Sequence, residues 1–243
     1  MVVLKYTIMK KLFLALFAAM LPTMISAQEL TVTYQVVYNT SSQNLFAEAG
    51  LSEEMRSNLA AAYKDVVMTY RLKLKGNESE FRIVPGEGKQ EITFMGQKID
   101  VNAASLAQAQ NYTYKNHADG IVLEKTQMFG KSFIVSDSIK SEAYSKIENE
   151  KKNILGFECT KAISADGKTT VWYTSGIPVK DEPIACGLDG LVLQFDNGQQ
   201  IFTATEILDT VDTEIIRPSG EKPITREEFT NFVNKRVEMM KRN

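Results

Sequence analysis

Residues 190–207 read Gly-Leu-Val-Leu-Gln-Phe-Asp-Asn-Gly-Gln-Gln-Ile-Phe-Thr-Ala-Thr-Glu-Ile. Two strand-like runs, 190–195 and 199–207, flank Asn197-Gly198, a pair that tolerates the positive φ angles of tight hairpin turns. The stretch is expected to be a β-hairpin, and the same grammar recurs upstream. Residues 159–164 and 168–174 flank Asp166-Gly167. Residues 66–75 place Val66, Met68, Tyr70, Leu72 and Leu74 on one side, turn at Gly76-Asn77 and return through 80–84. Residues 91–94 and 97–101 flank Met95-Gly96, and 121–127 and 131–135 flank Phe129-Gly130. The fold class that follows is mainly β, a β-rich α+β protein: an antiparallel meander forming a strongly curved sheet or half-barrel.

Two helices interrupt the meander. Leu51, Met55, Leu59, Ala62, Tyr63 and Val66 recur at helical spacing behind Ser52, an acceptable N-cap, which predicts an amphipathic helix near 53–65. Thr225-Arg226-Glu227-Glu228 has the spacing of a capping box, in which each side chain satisfies the other's backbone donor. Behind it Phe229, Phe232, Val233, Val237 and Met240 share a face, and Lys241 and Arg242 suit the negative end of the helix dipole, so a C-terminal helix is expected near 226–242. A shorter helix is expected at 103–110. No internal repeat or linker divides the chain, and 28–243 reads as a single domain.

The N-terminus has the form of a secretory signal. Met9-Lys10-Lys11 precedes an apolar run from Leu12 to Leu21, and Ile25-Ser26-Ala27 ends it, so cleavage after Ala27 is expected. The run is shorter than the roughly 20 apolar residues that span a bilayer, and no later segment is apolar enough to do so. Removal of 1–27 takes Lys5, Lys10 and Lys11 and no acid, leaving 25 basic and 30 acidic side chains and a net charge of −5. That balance argues against nucleic acid as a partner, which needs a basic patch.

Candidates for chemistry are sparse. Cys159 and Cys186 lie in a chain expected to meet an oxidising compartment, where such pairs usually bridge. A disulfide between them would contribute roughly 3 to 4 kcal/mol in the chain-entropy estimate; two buried free thiols are the alternative. No Cys-x-x-Cys spacing supports redox catalysis, ligands for zinc are too few, and no cofactor is expected. His117 is the only histidine and reads as an exposed residue of the polar turn Asn116-His117-Ala118-Asp119-Gly120. Carboxylates at Glu53, Glu54, Glu78, Glu80, Glu87, Asp181, Glu182, Glu227 and Glu228 fall in turns or first helical turns, where solvation or the helix dipole accounts for most of them. Trp172 and Tyr173 are adjacent in a strand and must face opposite sides.

Ahead of the 190–195 run stands Cys186, then Gly187-Leu188-Asp189-Gly190-Leu191-Val192. This stretch resembles the signature of the GLPGLI family, with Asp189 where the name motif has proline. The segment 154–162 (Ile-Leu-Gly-Phe-Glu-Cys-Thr-Lys-Ala), Val171-Trp172-Tyr173-Thr174 and Ile177-Pro178 are similar to that family in order and spacing. The resemblance implies an exported protein of Gram-negative bacteria, periplasmic or on the cell surface, and no mechanism. Physically, Gly187 and Gly190 read as a turn or bulge packed under neighbouring strands. Phosphate-gripping glycine loops lead into helices, whereas this one leads into a strand.

Without a visible catalytic constellation, the expectation is an exported, non-enzymatic binding or envelope-interaction protein whose partner is an envelope protein or an apolar ligand. The alternative is a periplasmic carrier enclosing an apolar ligand such as a lipid or an acyl chain. A hydrolase using paired carboxylates comes third.

Overall fold

The computed structural model describes residues 29–42, 45–46, 52–86 and 90–241. The expected leader at 1–27 lies outside them, as do Leu51, Glu87 and Arg242. The chain opens with β1 (Glu29–Tyr38) and α1 (Glu53–Tyr63), followed by the hairpin β2 (Val67–Lys75) and β3 (Glu78–Val84). A small hairpin, β4 (Glu91–Phe94) and β5 (Gln97–Asp100), leads into α2 (Val101–Gln108). Then come β6 (Tyr112–Asn116), β7 (Ile121–Met128), β8 (Lys131–Ser138), β9 (Tyr144–Ile154), β10 (Phe157–Ser164) and β11 (Thr170–Thr174). The chain ends with β12 (Leu191–Asp196), β13 (Gln200–Leu208), β14 (Ile224–Thr225) and α3 (Arg226–Lys241).

Twelve strands form one sheet in the order β14-β8-β7-β6-β3-β2-β1-β13-β12-β11-β10-β9, while β4 and β5 pair alone. The large sheet is antiparallel except where β14 runs parallel to β8, and it does not close into a barrel. The expected meander is therefore present, but β1 joins its two halves by pairing with β2 on one side and β13 on the other.

The turns take two forms. In Met95-Gly96, Phe129-Gly130 and Leu155-Gly156 both residues have positive φ, the geometry of a type I′ hairpin that follows the sheet's right-handed twist. Of Asp166-Gly167 and Asn197-Gly198 only the glycines do. There the carboxylates and amide close the turn with their side chains: Asp166 Oδ1 accepts from Lys168 N at 3.0 Å, and Asn197 Oδ1 accepts from Gln200 N at 2.8 Å.

The helices start where their caps predict. Ser52 Oγ accepts from Met55 N at 3.2 Å. Thr225 Oγ1 accepts from Glu228 N at 3.1 Å while Thr225 N donates to Glu228 Oε2 at 2.7 Å, which completes the capping box. Helix α3 docks through Phe229 and Phe232 on Phe133 of β8, with ring centroids 5.3 and 4.9 Å apart.

The main core collects Leu30, Val32, Tyr34 and Val36 of β1 with Leu72, Leu74, Val171, Leu191, Leu193 and Phe202. Tyr173 is buried in it and Trp172 packs at its margin, as their alternation requires. Cys159 and Cys186 belong to this core too, but they are not bonded to each other. The expected disulfide is thus corrected to two buried free thiols. Each is sealed among apolar side chains, and the Cys159 thiol turns to the Phe157 carbonyl of its own strand at 3.6 Å. Burial favours the protonated form, pushing the Cys159 thiol up to about 11 and raising that of Cys186.

Candidate functional site

Ser79 and Lys115 are direct cross-strand partners on β3 and β6, so their side chains leave the same face of the sheet side by side. The loop between β11 and β12 reaches across and inserts Glu182 between them. Its side chain is 1% exposed. Glu182 Oε1 accepts from Ser79 Oγ and pairs with His117 Nε2 at 2.8 Å, while Oε2 faces Lys115 Nζ at 3.4 Å. Lys115 also donates to the carbonyls of Asp181 and Pro183, the latter at 3.2 Å. An ion pair this deep persists only when its remaining donors and acceptors are also satisfied, and here the backbone supplies them.

The same loop is tied to the glycine-rich turn. Val192 N donates to the Glu182 carbonyl at 3.2 Å, and Tyr34 Oη donates to the Val192 carbonyl at 2.8 Å. Burial and the neighbouring Glu182 charge push the Tyr34 hydroxyl well above its ordinary pKa. Asp181, itself at φ 57°, accepts from Ser141 Oγ at 3.1 Å and from Gly187 N at 2.8 Å. Gly190 launches β12 at φ +148°, where an added Cβ would stand 2.1 Å from the Thr174 carbonyl oxygen. Gly187, Leu188, Asp189, Gly190, Leu191 and Val192 are thus a packed turn behind the Glu182 loop. Leu188, Gly190, Leu191 and Val192 are buried, while Gly187 and Asp189 reach solvent, the latter paired with Lys180 at 3.1 Å.

His117 follows β6 directly and is held by a backbone bond to Asn77 at 2.8 Å. Its side chain is 25% exposed, so it is not the free turn residue expected. It lines an open cleft of about 390 Å³ with Leu74, Gly76, Ile139, Val179 and Asp181. A carboxylate at Glu182 can only accept, so the 2.8 Å contact places a hydrogen on Nε2 and leaves Nδ1 as the ring nitrogen turned away from it. A histidine fixed by a buried carboxylate at the wall of a cleft is an arrangement suited to proton transfer. Among the described residues no group of three or more His, Cys, Asp or Glu side chains is placed to hold a metal ion.

Of the carboxylates noted in the sequence, Asp181, Glu182 and Glu80 depart from the solvated reading. Glu80, on the opposite face of β3 from Ser79, is 1% exposed and lies 2.7 Å from Arg82 Nη2 and 3.7 Å from Lys73 Nζ. It accepts from Ile216 N at 3.0 Å and so holds the 209–217 segment against the sheet. Sequence reasoning found the acids but not their partners. The available signal was an ionisable residue, Lys115, on the core-facing side of an alternating strand.

The family model for "N-glycanase peptide, N-terminal domain" matches residues 69–223. Among solved structures, one described as "Structure of PNGF-II in P21 space group" is similar at a TM-score of 0.50 and 16% identity, over 86% of this chain and 34% of that one. A second, in space group C2, aligns at a TM-score of 0.47 and 17% identity, over 84% and 32% of the two chains. The chain thus spans about a third of the length of the structures it matches. No curated protein matches.

These findings overturn three expectations. The resemblance to the GLPGLI family is replaced by the matched family, whose model covers 187–192 within its span. The non-enzymatic envelope reading gives way to one connected with N-glycanases. The apolar carrier fails as well, because the core-facing side of the sheet is filled by buried side chains and the His117 cleft is open and carries charge.

Proposed function

We propose, from the premise that this chain belongs to the family of N-glycanase peptide N-terminal domains, that it acts on N-glycosylated substrates and that the His117 cleft is its chemical site. The observation that carries this reading is the single imidazole of the chain held at a cleft wall by a buried carboxylate. In hydrolysis of a glycan–asparagine linkage, the lone pair on the nitrogen opposite Glu182 would take a proton from the attacking water. The resulting imidazolium would return it to the leaving nitrogen, with Glu182 stabilising the charged ring. Export through the signal at 1–27 would bring the protein to glycoproteins outside the cytoplasm.

The test is release of glycan from a denatured N-glycoprotein, followed by gel mobility and mass spectrometry. His117→Ala should lower the rate by about 100-fold or more, within the range typical of a lost acid–base group. Glu182→Gln, which keeps the shape but loses the charge, should lower it in the same direction. No release by the unaltered protein, or equal release by His117→Ala, would sink the proposal.

A further inference from the structure

The hairpin of β7 and β8 runs past its neighbour. Strand β6 pairs with β7 only from Asn116 opposite Ile121 to Tyr112 opposite Lys125, so residues 126–128 and 131–133 pair with each other alone and project from the sheet. Helix α3 lies along this projection and runs toward its tip. Arg226 starts beside Glu124 at 2.6 Å, Phe229 meets Phe133, and Phe232 meets both Phe133 and Phe129 of the turn, the latter with centroids 6.3 Å apart. Phe232 therefore stands level with the hairpin tip. The helix continues from Val233 to Lys241 for about 13 Å beyond it, and Asn234 to Met239 are all exposed.

The overhang keeps the amphipathic pattern of the docked half. At 100° per residue Met239, Phe232, Phe229, Val233 and Val237 fall within one arc of about 160°. The hairpin covers that arc at Phe229 and Phe232 and leaves it bare at Val237 and Met239, beside the exposed Phe129 of the turn. Cations surround this apolar tip. Lys131 and Arg236 stand over the Phe232 ring at 5.9 Å each, and with Lys235 they are exposed and form no ion pair among the described residues. From 229 to 241 the sequence sets Lys235, Arg236 and Lys241 against Glu238 alone, in a chain whose net charge is −2.

We propose that this tip seats the protein on a lipid bilayer with anionic headgroups. Phe129, Val237 and Met239 would lie below the headgroups, with Lys131, Lys235 and Arg236 among the phosphates. Charge and shape both select this occupant. Arg236 sits inside the apolar arc, where a dry protein interface would strand its charge, whereas at a lipid surface its stem stays in the apolar layer and its head reaches the phosphates. A helix overhang of about 13 Å by 10 Å also covers far less than the roughly 1,200 Å² of a stable protein interface, while lipid closes around a convex tip. None of the described helices is long and apolar enough to cross a membrane, so the contact is at the surface. The tip follows β7 and Gly120 of the His117 cleft precedes it, so this strand of 8 residues sets the cleft roughly 25 Å from the bilayer. The inference goes beyond the glycan-directed reading and draws nothing from it.

Co-sedimentation of the protein with vesicles tests it. Vesicles of phosphatidylcholine and phosphatidylglycerol in equal parts should bind at least tenfold more protein than phosphatidylcholine alone, and added salt should narrow the difference. Lys235→Glu with Arg236→Glu should lower binding to the anionic vesicles by about tenfold or more, and Val237→Asn with Met239→Asn should lower it in the same direction. All four positions are exposed, so both variants should keep the circular dichroism of the unaltered protein. Absence of binding, equal binding to the two vesicle types, or binding indifferent to both variants would overturn the inference. So would dimerisation in sedimentation velocity that Val237→Asn abolishes while vesicles go unbound, which would give the tip to a second copy of this chain. Vesicle binding is read without glycan release, so either reading can fail while the other stands.

Discussion

Gly187 and Gly190 show how differently two glycines of one motif are used. At Gly187 (φ +63°) an added Cβ would meet Ser141 Cβ at 3.2 Å, a contact that a small displacement relieves. At Gly190 it would enter the Thr174 carbonyl at 2.1 Å, where only backbone movement can make room. We therefore expect Gly190→Ala to cost more than about 2 kcal/mol and Gly187→Ala about 1 to 2 kcal/mol, measured by urea unfolding. The Glu182–Lys115 pair sets a second contrast. Replacing either partner by alanine strands a buried charge and should cost about 3–5 kcal/mol, while Lys115→Ala combined with Glu182→Ala should cost less than the two single changes together. A double-mutant cycle in which the energies simply add would contradict this coupling. None of these contacts was legible locally. Glu182 looks like any turn acid, because its burial depends on residues 67 and 103 positions away.

Hairpins and helix starts were the legible part, because turn geometry, alternation and capping all act over a few residues. The sequence pattern located the turns better than it described them. Asp166-Gly167 and Asn197-Gly198 mark longer connections closed by side chains, whereas the two-residue positive-φ turns are built on Met95, Phe129 and Leu155. Leu155 stands at φ 52° and is 43% exposed, so Leu155→Asn should stabilise the β9–β10 hairpin by about 0.5 kcal/mol, read as a raised urea midpoint. At the start of α3 the backbone and hydroxyl bonds from Thr225 hold the Glu228 carboxyl below its ordinary 4.5. The sign follows: this support is complete above the unfolded pKa and is lost as pH falls through the lowered folded value. Faster amide exchange at 225–228 under acid conditions, abolished as a pH effect in Glu228→Gln, would show it. Thr225→Ala should cost about 1 kcal/mol at neutral pH.

Over the whole molecule, groups held neutral by burial set the alkaline limit. Cys159 is raised to about 11 and Tyr144 to about 12, the latter by burial, then by Glu142 and Cys186. Both folded values exceed the unfolded ones, so the protein keeps their full contribution below about pH 9 and loses it as pH rises through 9 to 12. Unfolding free energy should therefore fall over that interval, and Cys159→Ala should flatten the part of the slope between pH 9 and 11. An unchanged slope in that variant would assign the loss elsewhere. The sequence by itself determined the five hairpins at 66–84, 91–101, 121–135, 159–174 and 190–207, the helix caps and the mainly antiparallel fold, since each follows from torsional preference and periodicity within about ten residues; it did not show β1, β6, β9 or β14. Only the tertiary structure decided that the cysteines stay apart, that Glu182 and Glu80 are buried, and that His117 is fixed at a cleft. Those outcomes depend on which surfaces the long crossings bring together, and on the desolvation that such contact imposes on a charge.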